Sequence, residues 1–234
     1  MIRNYDDFIG QLLDAGFSAA SGGNEEGVVG LIGFSWDRQP IGSPVRWHTG
    51  DADTDPWEWR MRVLEERDDI SYAKVFFRKG GFITEEWYAY FLAARRGSYT
   101  FEGAYMDGKA SHFAKRIYTA VAENGKVPLH DIKRIAGFSQ KDKSRFDSAL
   151  TELQMQMYLT ICGRRRKISK NGDSNSWAST VLCTTECFWG EGVFEAAAGI
   201  SPKEAISRIK EQVFRLNPSA EENRVDRFIL GLKK

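Results

Sequence analysis

Residues 46 to 62, RWHTGDADTDPWEWRMR, place one histidine, three aspartates at alternate positions and three tryptophans within seventeen residues. Alternating carboxylates suit a calcium loop, and a histidine near carboxylates suits a zinc site or a general base. Each chemistry makes a demand on spacing. Asp51, Asp53 and Asp55 fit the first three ligand positions of an EF-hand loop. The sixth position needs a glycine with positive φ, but Pro56 stands there with φ fixed near −65°. The twelfth needs a bidentate glutamate, and Arg62 stands there. Zinc wants about four ligands. His112 and His130 lie far along the chain, and Cys183 and Cys187 have no evident partner pair. No metal and no cofactor is therefore expected, and His48 beside Trp47 reads as a hydrogen-bonded structural residue.

A helix start accounts for more of the segment. Asp55 can accept the first free N–H groups, Pro56 has no N–H to leave unpaired, and Glu58 sits where a capping box reaches back. Ser201-Pro202-Lys203-Glu204 repeats this grammar. Trp57, Met61 and Leu64, at i, i+4 and i+7, then predict a core-facing stripe.

The chain of 234 residues is 42% hydrophobic and 28% charged, as a globular fold requires, and its net charge of +1 excludes a uniformly basic nucleic-acid binder. No apolar run approaches the ~18 residues of a membrane span, so no membrane partner is expected. The start, MIRNYDDFIGQ, has no signal-peptide core, and three cysteines (Cys162, Cys183, Cys187) make no disulfide framework. A reducing, cytoplasmic setting is expected.

The fold class expected is α+β and predominantly helical. Residues 1–105 read as a Trp-rich α/β region, with a divergent winged helix as the other option. Its first helix lies in NYDDFIGQLLDAG, capped by Asn4 and closed by Gly16. VVGLIGFSW reads as a short strand and SYAKVFFRKGGF as either helix or strand. TEEWYAYFLAARRG is an amphipathic helix with Thr84 as cap. Residues 106–190 predict three helices and a hairpin, the order of a winged helix-turn-helix domain. The helices are SHFAKRIYTAVAENG, PLHDIKRIAG and SQKDKSRFDSALTELQMQM, and Asn171-Gly172 marks the hairpin turn. Phe113, Ile117, Phe146, Leu150 and Leu153 should be buried together. Residues 191–234 read as a helical extension broken at Asn217-Pro218.

The charge is uneven. Residues 141–170 carry eight basic and three acidic side chains, a balance of +5 against −4 for the rest. The cations fall on the third helix and the hairpin, the two elements a winged helix lays on DNA. The candidate DNA contacts are Lys143, Ser144, Arg145 and Ser148 on the helix, with Arg164, Arg165, Arg166, Lys167 and Lys170 on the wing. Lys141 belongs to the same basic run. Gln154-Met155-Gln156, at the end of that helix, reads as exposed polar positions around an apolar one.

Two stretches carry a family resemblance. They run from RWHTGDADTDPWEWRMR through FLAARRG and from SHFAKRIYTAVAENG through MYLTICG, nearly half the chain. They resemble the bacterial AlkZ-related proteins. The namesake AlkZ-type proteins are DNA glycosylases built of tandem winged helices plus a β-barrel, with a glutamine–apolar–glutamine or glutamine–apolar–aspartate signature near the N-terminus. Here that region holds only Gln11, and Gln154-Met155-Gln156 lies in the wrong segment, so no catalytic residue is carried over. At 234 residues the chain is expected to lack part of that architecture.

The resemblance implies winged-helix folding and contact with double-stranded DNA. The function expected is a non-enzymatic DNA-binding protein, a regulator or repair accessory. Two alternatives stand beside it. One is a glycosylase-like enzyme, with Trp47, His48, Asp51 and Trp57 around a flipped base. The other is a protein-interaction module using the Trp-rich half.

Overall fold

The computed structural model of the chain describes residues 1–20, 27–165 and 178–232. Its centre is a six-stranded antiparallel sheet with strands β1 (Phe17–Ala19), β2 (Ile70–Phe76), β3 (Lys79–Thr84), β4 (Val127–Pro128), β5 (Leu159–Arg165) and β6 (Ser179–Thr184). Their order is β1-β3-β2-β5-β6-β4, so one sheet takes strands from both sides of position 105. Helices α1 (Tyr5–Ala15) and α2 (Pro56–Glu66) cover one face of β2 and β3, where Phe8, Leu12, Trp59, Val63 and Phe82 pack together. The other face packs on α3 (Glu85–Arg95) through Val75, Phe76 and Phe91. The helical layer of α9 (Gly192–Ala198), α10 (Pro202–Leu216) and α11 (Glu222–Leu230) closes over it with Val193, Ile209, Val213 and Phe228. Of two short helices, α4 (Phe101–Met106) follows α3 in the chain and α8 (Thr185–Trp189) links β6 to α9.

Local chemistry sets most helix ends. Asn4 accepts the Asp7 N–H at the start of α1, and Gly16, in the left-handed region at φ 84°, ends it. Ser201 and Pro202 open α10, with the Glu204 N–H on the serine hydroxyl. Thr84 makes no such bond. It is the last residue of β3, its N–H is donated to Gly16 O, and its side chain is buried. The ambiguous SYAKVFFRKGGF is a hairpin of β2 and β3. Its two turn residues, Phe77 and Arg78, both have positive φ, 50° and 65°, the turn whose twist matches paired strands.

VVGLIGFSW is not a strand. Val28, Val29 and Ile32 are buried, but among the described residues only the Ala19 N–H to Val29 O and Leu31 N–H to Ser18 Oγ bonds tie the stretch to β1. Glycines at 30 and 33 interrupt any ladder, so the apolar side chains pack as a loop. The stripe expected on α2 is also rotated. Met61 is buried, but Trp57 is 41% exposed, and Trp59 takes the core position by stacking on Phe8 at 5.0 Å.

A third core joins α5 (His112–Asn124), α6 (Leu129–Ile135), α7 (Lys143–Met155), β5 and β6. Ile117, Phe146, Leu150 and Leu153 are buried in it, and Phe113 packs at its edge. The segments follow in the order α5, β4, α6, α7, β5, β6, with the two-residue β4 between the first two helices and paired with β6. Asn171-Gly172, the expected turn, lies outside the described residues, as do Arg166, Lys167 and Lys170.

Candidate nucleic-acid interface and aromatic cleft

The third helix of this unit begins with a short 3-10 turn, Gln140–Asp142. The Ser139 N–H and hydroxyl both donate to Asp142 Oδ2, at 3.1 and 2.7 Å, and hold that carboxyl below its usual pKa range. In the first two turns of α7, Lys143, Ser144 and Arg145 are exposed, as is Lys141 just before them. Among the described residues neither Lys141 nor Lys143 has an ion-pair or hydrogen-bond partner, whereas the Arg145 guanidinium lies 5.5 Å from the Phe113 ring centre. Ser148 is half-buried and accepts a hydrogen bond from Arg78 Nη2 of the β2–β3 turn, at 3.3 Å.

The last turns of α7 are closed on both sides, and Gln154-Met155-Gln156 is not an exposed polar pair. Gln154 and Met155 are buried and Gln156 is half-buried. The reason lies in the sheet. β2 and β5 share one residue pair, Tyr72 with Ile161, and then diverge. The Lys74 N–H would face an empty edge, and Gln154 Oε1 accepts it at 3.0 Å while Nε2 donates to Leu150 O. A side-chain amide takes the place of a missing strand.

On β5, Arg164 is held by two carboxylates of α2. Its Nε donates to Glu65 at 2.9 Å and its Nη1 to Glu58 at 3.1 Å. Glu58 therefore does not reach back to Asp55. Arg165, on the opposite face of the strand, is exposed.

A second feature is a solvent-open cleft of about 400 Å³, walled by Trp36, Trp47, His48, Trp57, Arg60 and Tyr72. Residues 27–55 form no helix or strand, and they supply Ser35, Trp36, Asp37, Trp47 and His48 to its wall. Asp55, 0% exposed, holds this segment from below. Its carboxylate accepts the N–H groups of His48 (3.0 Å), Gly50 (2.9 Å) and Trp57 (2.8 Å), so it caps α2 and pins the loop. Asp51 folds the same turn by accepting the Asp53 and Thr54 N–H groups, which lower its pKa. Thus the aspartates organise backbone, and among the described residues no three His, Cys, Asp or Glu side chains gather as a metal set. His48 is exposed, at φ 62°. Its ring packs 4.9 Å from Trp57 and makes no hydrogen bond among the described residues. The Arg60 guanidinium also lies over the Trp57 ring, 3.3 Å from its centre. Asp51 does not line the cleft, but Asp37 does, accepting the Ser35 hydroxyl.

Trp36, Asp37, Arg60 and Tyr72 line the cleft without being sequence candidates for it. Trp36 ends a stretch whose apolar, β-branched residues suggest a strand, which gives no sign of a cleft wall. The i, i+3 spacing of Trp57 and Arg60 was a readable signal, since such pairs meet on a helix.

The model of the AlkZ-related family matches residues 2–230. The chain belongs to the AlkZ-related family. That match spans the aromatic cleft and the α5–β6 unit alike, so both are features of an AlkZ-related chain. No curated protein and no solved structure matches it. No helix among the described residues of this AlkZ-related protein is long and apolar enough to cross a membrane. Its three cysteines are free thiols.

Proposed function

We propose that this AlkZ-related protein binds double-stranded DNA in a repair-related role, without chemistry of its own. In this reading α5 to β6 is a winged helix-turn-helix unit with α7 as the recognition helix and the β5–β6 hairpin as the wing. The observation that carries it is the open start of α7, where Lys143, and Lys141 in the turn before it, are exposed and have no ion-pair or hydrogen-bond partner among the described residues, while the rest of the helix is anchored in the core. Membership of the AlkZ-related family supports the repair context.

In this reading Lys143, Ser144 and Arg145 would read base edges, and Lys141 and Arg165 would contact phosphates. Arg164 is already neutralised by Glu58 and Glu65. Each phosphate neutralised releases counterions, so log affinity falls with log salt by about 0.9 per contact. The paired variant Lys141→Ala with Arg165→Ala should flatten that slope by roughly 2 and weaken binding to all sequences alike. Arg164→Ala should leave the slope unchanged. The measurement is fluorescence anisotropy of a labelled duplex through a salt titration. Absence of binding at low salt would end the DNA reading and favour a protein partner. Release of a base from an alkylated duplex would replace the non-catalytic reading with a glycosylase-like one.

A further inference from the structure

We propose that the aromatic cleft is a binding site for a single unpaired nucleobase, stacked on Trp36 and read at its amino edge by Asp37, with Arg60 beside its phosphate. The proposal rests on the DNA reading above and names what this second surface would take from a duplex.

Four observations carry it. The first is exposure. Trp36 is 63% exposed and Trp57 41%, so two indoles stand in solvent at one opening when the core has no use for them there. Aromatic faces in such a position are platforms for bases, because every base has a π-face. The second is rigidity. Trp57 packs against both Arg60 and His48, Trp47 Nε1 donates to Phe34 O, and the Trp47 N–H is held by Gln39 at 2.8 Å. An irregular segment as long as 27–55 is unusual unless it serves a function, and this one is pinned rather than loose.

The third is polarity. Asp37 Oδ1 accepts the Ser35 hydroxyl, a bond that lowers the carboxyl pKa, and the exposed side chain is a charged acceptor at neutral pH. A carboxylate accepts from the amino groups of cytosine, adenine or guanine, whereas thymine flanks its one N–H with two carbonyls. Arg60 gives its Nε–H to Trp57 O and makes no ion pair among the described residues, so its charge is open to an anion. The fourth is location. Arg78 bonds Ser148 of α7, and the next residue, Lys79, lines the cleft, so the β2–β3 turn joins this surface to the proposed reading helix. A volume of about 400 Å³, open on one side, takes one base and lets its backbone leave.

The test compares four duplexes of one sequence by anisotropy. They are fully paired, or carry a single bulged deoxycytidine, a bulged thymidine, or a bulged abasic residue. The deoxycytidine bulge should bind about tenfold more tightly than the paired or the abasic duplex, the range stacking supplies. Trp36→Ala should erase that difference and leave the paired duplex unaffected, while Trp36→Phe keeps part of it. Asp37→Asn should remove the preference for cytosine over thymine. Equal binding of wild type to bulged and paired duplexes overturns the inference and spares the DNA reading. If no duplex binds, the DNA reading fails, and tryptophan quenching by deoxycytidine monophosphate decides the cleft. Saturable quenching lost in Trp36→Ala supports it, and no quenching overturns it.

Discussion

Replacing Arg95 with methionine should destabilise the protein by about 4 kcal/mol, a large share of the stability of a typical domain. The guanidinium donates four hydrogen bonds to backbone carbonyls and has no ion pair among the described residues. Nη1 reaches Val75 O (2.9 Å) and Met155 O (2.7 Å), Nη2 reaches Phe228 O (2.8 Å) and Nε reaches Ile229 O (2.7 Å). Three of these carbonyls sit at the ends of α7 and α11, where the helix dipole is negative and a cation is favoured. Burial lowers the Arg95 pKa to about 9, which still leaves it charged at neutral pH.

Hydrogen bonds to a charged group contribute ~1.5–3 kcal/mol each, but relief of the buried cation returns part of that. Lysine cannot fan out to four acceptors, so Arg95→Lys should cost about half as much. Gly231 is part of the same joint, because a Cβ there would stand 2.8 Å from Met155 O and 3.2 Å from the Arg95 guanidinium. Urea unfolding of the two Arg95 variants checks the expectation. A loss below ~1 kcal/mol for Arg95→Met would mean that the helix ends are held by packing alone.

Asp55→Ala should cost about 3 kcal/mol, well beyond the ~1 kcal/mol of an ordinary cap. The excess comes from the loop. Without the carboxylate, the His48 and Gly50 N–H groups lose their acceptor along with that of Trp57. Residues 46–54 should then loosen before the rest of the fold. Two readouts separate these effects. Thermal or urea unfolding gives the total. Hydrogen exchange at the His48 and Gly50 amides gives the local part, with protection lost in the variant while that of β2 and β3 is kept. A loss no larger than an ordinary cap, with both amides still protected, would show that water replaces the carboxylate without penalty. Asp55→Asn keeps one acceptor oxygen and should fall between wild type and alanine.

Much of this protein is written locally in its sequence. Asn4 and Gly16 bound α1, Asp55 and Pro56 open α2, Ser139 and Asp142 precede α7, and Ser201 and Pro202 open α10. Each is a bond between residues two to four apart, so the letters suffice. The basic run at the start of α7 is legible for the same reason, since the side of the helix it occupies follows from the core stripe Phe146, Leu150, Leu153. Tertiary structure alone decided the rest. Trp57 turns outward because Trp59 stacks on Phe8, some fifty residues earlier. Gln154 turns inward because β2, 80 positions away, leaves the Lys74 N–H unpaired where the strands part. Arg164, one of a run of basic letters, faces two glutamates about 100 positions back. Arg95 collects carbonyls as far as 134 positions along the chain. A side chain's charge and shape are fixed by its letter, but its partner is set by which elements meet, and that is decided only when the whole chain closes around its cores.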